Sequence, residues 1–213
     1  MTLGDLVLFV VIPYIAVGQL VPAVLFVRRG EGPLRAVELL AEERRPFWTR
    51  PAWIGAALLV LLHTLPLIIP GPWRALIALR AGLVGVELAG AVGGLLFLLG
   101  IGIFLRRRLT NPKLSSLRTS MELAALGSLQ LSSIAGLMTA LTSRWGSAWY
   151  AHVVGPYLWS LARLNPDPSA LATLGFWPRA HIAFAFLAMG LVPFTTLPKQ
   201  LGRPLRAALG AAR

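Results

Sequence analysis

Cysteine is absent from all 213 residues, which excludes a disulfide, a thiolate metal site and an iron–sulfur cluster ligated by this chain. Any redox centre must be held by His or Met, and histidine occurs only as His63, His152 and His181. Acidic residues are scarce, 8 Asp and Glu against 20 Lys and Arg. Charged residues make up 13% of the chain and hydrophobic ones 56%, with a mean hydropathy of +0.72; this is too apolar for a soluble domain. The short segments of alternating polarity that mark an outer-membrane barrel are missing. So is an internal repeat, which disfavours a small transporter.

What the chain has is a series of unbroken apolar blocks of about 20 residues, the length a helix needs to cross a bilayer. The expected fold class is all-α, a polytopic membrane protein built as a five-transmembrane-helix bundle. Its spans are predicted at 3–27, 53–70, 81–105, 120–142 and 177–198, all within a single membrane domain over 1–213. The first block is too long for a signal-peptide core and ends in Arg28 and Arg29, so it reads as a retained helix.

The formal charge of +12 does not indicate nucleic acid, because the basic residues sit between the apolar blocks. Fifteen of the 20 fall in the loop after the first span, the loop after the third and the C-terminal tail. Arg74, Arg80, Arg144, Arg163 and Arg179 lie on the other side. The positive-inside rule then puts the N-terminus outside and the C-terminus in the cytoplasm, in a multi-pass protein of the cell inner membrane. The first loop carries PLRAVELLAEERR, whose periodicity predicts a short cytoplasmic surface helix, either a solvated connector or a docking surface for a partner. Trp145, Trp149, Tyr150, Tyr157 and Trp159 predict an outer interfacial helix over about 145–163. His152 lies in it and reads as a surface residue.

The residues that carry chemistry are few. His63 interrupts WIGAALLVLLHTLPLIIP and His181 opens HIAFAFLAMGLVPFTTLP; an intramembrane imidazole is a functional candidate because hydrocarbon offers it no partner. Two readings are open for the pair. They are unrelated polar residues bonded to neighbouring helices, or they are the two axial ligands of one b-type haem between the second and last spans. Geometry favours the second: His63 precedes Pro70 by seven residues, roughly 10 Å of helix, and His181 lies near the start of a helix running the other way. Gly55, Ala56, Ala180 and Ala185 would leave room for a flat macrocycle. Arg179, Arg163, Arg80 and Arg74 would reach its propionates or a quinone. Glu87 either lines a proton path from quinol or is a buried structural contact, and Glu122 is expected to be solvated at the mouth of the fourth span.

Four stretches make the chain resemble a family nearly end to end: PYIA in the first span, GIFLRRRLTNPKLSSLRT after the third, PYLWSLARLNPDPSALATLGFWPRAH before the fifth, and PFTTLPK at its close. It is similar to the cytochrome b (gamma) subunits of respiratory nitrate reductases and related nitrite oxidoreductases. The resemblance implies a five-helix anchor, an electron-transfer subunit and not itself the catalytic subunit, that passes electrons between quinol and an iron–sulfur subunit of a molybdenum complex. It also implies two haems, each held by one His of helix two and one of helix five. His63 and His181 match the pair nearer the outer face. Trp53 and Lys199 stand where the other pair would be, so one haem b is expected, and the family's quinol-site Lys has Arg80 as its nearest counterpart here. With the inner haem missing, the catalytic subunits would dock outside, or electrons would pass to an outer-face cytochrome c, or the chain would anchor a complex whose electrons do not cross it completely; the competing reading is a haem-free structural anchor.

Overall fold

The structure is a computed structural model that describes residues 2–25, 46–112, 120–143 and 145–195. Among these residues every regular element is helical. Helix α1 begins at Leu3–Leu6 behind a capping box, in which the Thr2 side chain accepts the Asp5 N–H and the Asp5 carboxylate accepts the Thr2 N–H. It widens into a π-helical turn at Val7–Val11 and continues as Ile12–Leu25. Helix α2 is Pro46–Ile68, α3 is Pro70–Ala78 and α4 is Arg80–Thr110. Helix α5 is Ser120–Thr142. Helix α6 comprises Gly146–Trp149, a π-helical turn at Tyr150–Val154, and Gly155–Ala162. A 3-10 turn at Ser169–Thr173 leads to α7, Phe176–Leu191, which closes in a 3-10 turn at Val192–Phe194. Five of these helices are long and apolar enough to cross a membrane, over Leu3–Pro22, Arg50–Ile68, Arg80–Thr110, Ser120–Thr142 and Phe176–Phe194.

Several boundaries differ from the sequence expectation for local reasons. The second helix is already formed at Pro46, ahead of the expected Trp53. It stops at Ile68 because Ile69 leaves helical geometry, and Pro70 opens a separate short helix where a loop had been expected. The third helix runs on through Arg106, Arg107 and Arg108 to Thr110, since these basic residues suit a helix C-terminus. The expected helix in the first loop, Arg144 and Lys199 lie outside the described residues.

The spans pack in a series. Helix α1 lies on α7, α7 on α5, α5 on α4 and α4 on α2, so α1 and α2 stand at its two ends, and α2 and α7 are not packed closely on each other. Glycine permits the closest of these approaches. A Cβ on Gly100 would stand 2.3 Å from that of Ala52, and one on Gly55 would stand 2.6 Å from the Gly93 carbonyl and the Phe97 nitrogen. Gly55 is therefore taken up by α2–α4 packing and leaves no room for a macrocycle, as the sequence had suggested it would.

Glu122 departs most from expectation. It is 1% exposed, with its carboxylate 3.6 Å from Nε of Arg108, itself 0% exposed, and that guanidinium lies over the Phe104 ring at 4.8 Å. The cation ends α4 and the anion begins α5, so each also complements a helix dipole. Burial without pairing would cost several kcal/mol, and the two charges fix α4 against α5 instead of facing water.

Gly100→Val is expected to destabilise the protein by about 1–3 kcal/mol through overpacking against α2. Gly127→Ala is expected to be neutral, because nothing lies within 4 Å of the added carbon. Thermal unfolding of the detergent-solubilised protein compares the two.

Candidate functional site

His63 and His181 face each other across the gap between α2 and α7. Their ring centroids are 6.0 Å apart and their planes are tilted by 42°. Each ring is held by its Nδ1. In His63, Nδ1 lies 2.7 Å from the Leu59 carbonyl one turn back; in His181, Nδ1 lies 2.8 Å from the Ser132 carbonyl of α5. A carbonyl only accepts, so each Nδ1 carries the proton and each Nε2 keeps its lone pair, the tautomer a metal-binding imidazole needs. The Ser132 hydroxyl donates to the His181 carbonyl at 3.2 Å and lies 3.2 Å from Nδ1, so one serine holds both the backbone and the ring of His181. Gly136, one turn further along α5, leaves space for that ring: a Cβ there would stand 3.0 Å from Nδ1.

Chemically, two such imidazoles can share a metal along one axis. With each nitrogen about 2.0 Å from the metal, the ring centres stand roughly 6 Å apart, which is the spacing here. Among the described residues no group of three or more His, Asp or Glu is placed to hold an ion. The pair therefore suits a metal that brings its remaining ligands in a macrocycle.

A second set of contacts comes from α6. The Tyr150 hydroxyl donates to the His63 carbonyl at 2.7 Å, and its ring meets the imidazole edge-on, with centroids 5.2 Å apart and planes at 82°. Burial pushes the Tyr150 phenol up to about 12, so it remains a donor at any pH the protein meets. Glu87 of α4 accepts the Ser147 N–H at 2.8 Å and the Ser147 hydroxyl at 2.7 Å, anchoring the start of α6. At the other end Tyr157, 1% exposed, donates to the Phe9 carbonyl at 2.9 Å, and Tyr14 donates to the Leu161 carbonyl at 3.1 Å. Helix α6 is thus tied to α4, α2 and α1 by side chains that sequence alone could not separate from an aromatic belt.

The arginines go to different places. Arg179 pairs with Asp5 and lies over the Phe9 ring at 5.4 Å. Arg163 is exposed and lies over Trp159 at 5.9 Å. Arg74 and Arg80 are exposed on α3 and at the start of α4. His152 is exposed as well. Ser132, Gly136 and Tyr150 had not been singled out for the site; their contacts to the two histidines arise from helix packing, and the four-residue spacing that puts Ser132 and Gly136 on one face of the fourth span is the signal that could have grouped them.

Glu87→Ala is expected to cost about 1–3 kcal/mol, because it leaves a part-buried N–H and hydroxyl without their acceptor. Limited proteolysis should show faster cleavage around residues 145–150 in this variant than in wild type.

No curated protein matches the chain. The family model described as nitrate reductase gamma subunit matches residues 5–206, and the chain belongs to that family.

Proposed function

We propose that this chain carries one haem b between His63 and His181 and moves electrons along the membrane end of a nitrate-reductase-type complex. Membership in the gamma-subunit family implies a membrane subunit that associates with the other subunits of a nitrate reductase, and five helices suited to crossing a membrane agree with that. The finer reading rests on one observation: two imidazoles 6.0 Å apart, each with Nδ1 tied to a carbonyl. A bis-imidazole haem supplies one-electron transfer without an open coordination position.

The protein's own residues do the rest. Leu59 and Ser132 fix the tautomers and ring directions of the two ligands, and carbonyl acceptors of this kind raise ligand basicity. Trp53 cannot ligate iron, and it stands 43% exposed on α2, so a second bis-His site has no ligand at that position. In the orientation we assign, N-terminus outside and C-terminus cytoplasmic, the histidine pair lies in the outer half of the inner membrane. Helix α6 then lies at the outer boundary with Trp145, Trp149 and Trp159 exposed there. Arg74, Arg80 and Arg163 are exposed cations available to propionates or to a quinone headgroup. Electrons would run between the quinone pool, or an outer-face cytochrome c, and an iron–sulfur subunit next to the molybdenum subunit.

The competing reading is a haem-free anchor for the same complex. Pyridine haemochrome quantitation of the purified chain separates the two. The expected result is one haem b per chain in wild type and loss of most of it in His63→Ala and in His181→Ala. A wild-type chain without haem supports the anchor, and two haems per chain would contradict the role given to Trp53.

A further inference from the structure

We propose that Tyr150 is a positioning residue for His63, and that α6 serves as a strap setting where this imidazole stands relative to His181. The inference rests on the haem reading above and extends it to an element outside the pair of ligand-bearing helices.

Tyr150 grips His63 at two points. Its hydroxyl holds the backbone carbonyl at 2.7 Å and its ring edge meets the imidazole at 5.2 Å. The contact falls where α2 is easiest to bend. Pro66, three residues on, has no N–H, so the Leu62 carbonyl lacks its helical partner beside His63. A hydroxyl from another helix at this point supplies a constraint the helix itself does not.

The strap is built to hold Tyr150 still. Glu87 fixes Ser147, one turn before it, through two hydrogen bonds. Trp145, at φ 66, turns the chain left-handedly into the helix. Ala151 packs with Trp73 and Ile77, and Leu62 and Leu65 of α2 join the same cluster on either side of His63. Tyr150 also opens the π-helical turn Tyr150–Val154, and such turns concentrate at functional sites because they redirect side chains without ending a helix. The α1 end of the helix is anchored separately, seven residues beyond Tyr150, where Tyr157 donates to the Phe9 carbonyl and touches neither Tyr150 nor His63.

For an axial imidazole, ring direction governs the iron's electronic structure, so the strap should be legible in the spectrum. The test uses the full, haem-loaded chain. Tyr150→Phe keeps the ring and removes the hydroxyl; Tyr157→Phe removes the same kind of bond from the same helix, but from the α1 side. The expected result is that Tyr150→Phe retains haem yet shifts both the largest g value of the oxidised low-spin signal and the midpoint potential. Tyr157→Phe should leave both at wild-type values while lowering thermal stability. If Tyr150→Phe fails to accumulate, Glu87→Ala, which removes the acceptor holding Ser147, should move both readouts from their wild-type values, and unchanged readouts there would equally overturn the inference. Unchanged g values and potential in Tyr150→Phe, or an equal change in Tyr157→Phe, would overturn the inference. A haem-free wild type would instead overturn the reading on which it rests, so the two failures are distinguishable.

Discussion

Two hydrogen bonds from ring nitrogen to backbone carbonyl, one on each side of a gap between helices, are the constraint on which the functional reading depends. The Leu59 carbonyl takes the His63 proton from within its own helix, and the Ser132 carbonyl takes that of His181 from a neighbouring helix. Together they leave two lone pairs on facing rings in a segment where hydrocarbon would leave either ring without a partner. The packing order keeps the two helix backbones apart: α2 packs on α4, and α7 packs on α1 and α5.

The rest of the molecule can be understood as support for that separation. Glycine lets α2 and α4 approach until Gly100 meets Ala52, which draws α2 to the α4 side. Ser132 and Gly136 present one face of α5 to His181, the first as a polar hold and the second as an absence of bulk. Far along the same pair of helices, the buried Arg108 and Glu122 fix α4 to α5. Desolvation offsets much of the attraction in such a pair, while removing either partner would leave the other charge buried and uncompensated.

The five membrane-length helices were legible in the sequence because hydrocarbon thickness imposes a length that composition alone reveals. The fourth span ends at Thr142, as expected. The ends of the second and fifth differ from expectation, since apolar runs do not register a local break such as Ile69 or a 3-10 turn such as Val192–Phe194. His63 and His181 stood out as rare polar residues in apolar runs, but their facing one another is a property of packing order, which hydropathy does not encode. Glu122 was misjudged for the same reason: its place near a helix start suggested water, and the neighbour that buries it belongs to another helix. Glu87 had two readings open, and its bonds to Ser147 realise the structural one. Tyr150 was visible only as one more aromatic, because a hydroxyl aimed at a carbonyl of another helix leaves no periodic trace.

Near-infrared magnetic circular dichroism of the oxidised protein tests the central claim most directly, because its charge-transfer band identifies both axial ligands of a ferric haem. The account expects a single band at the position of two neutral imidazoles, absent from the His63→Ala and His181→Ala variants. A band belonging to a different ligand pair, or one that survives either substitution, would contradict it.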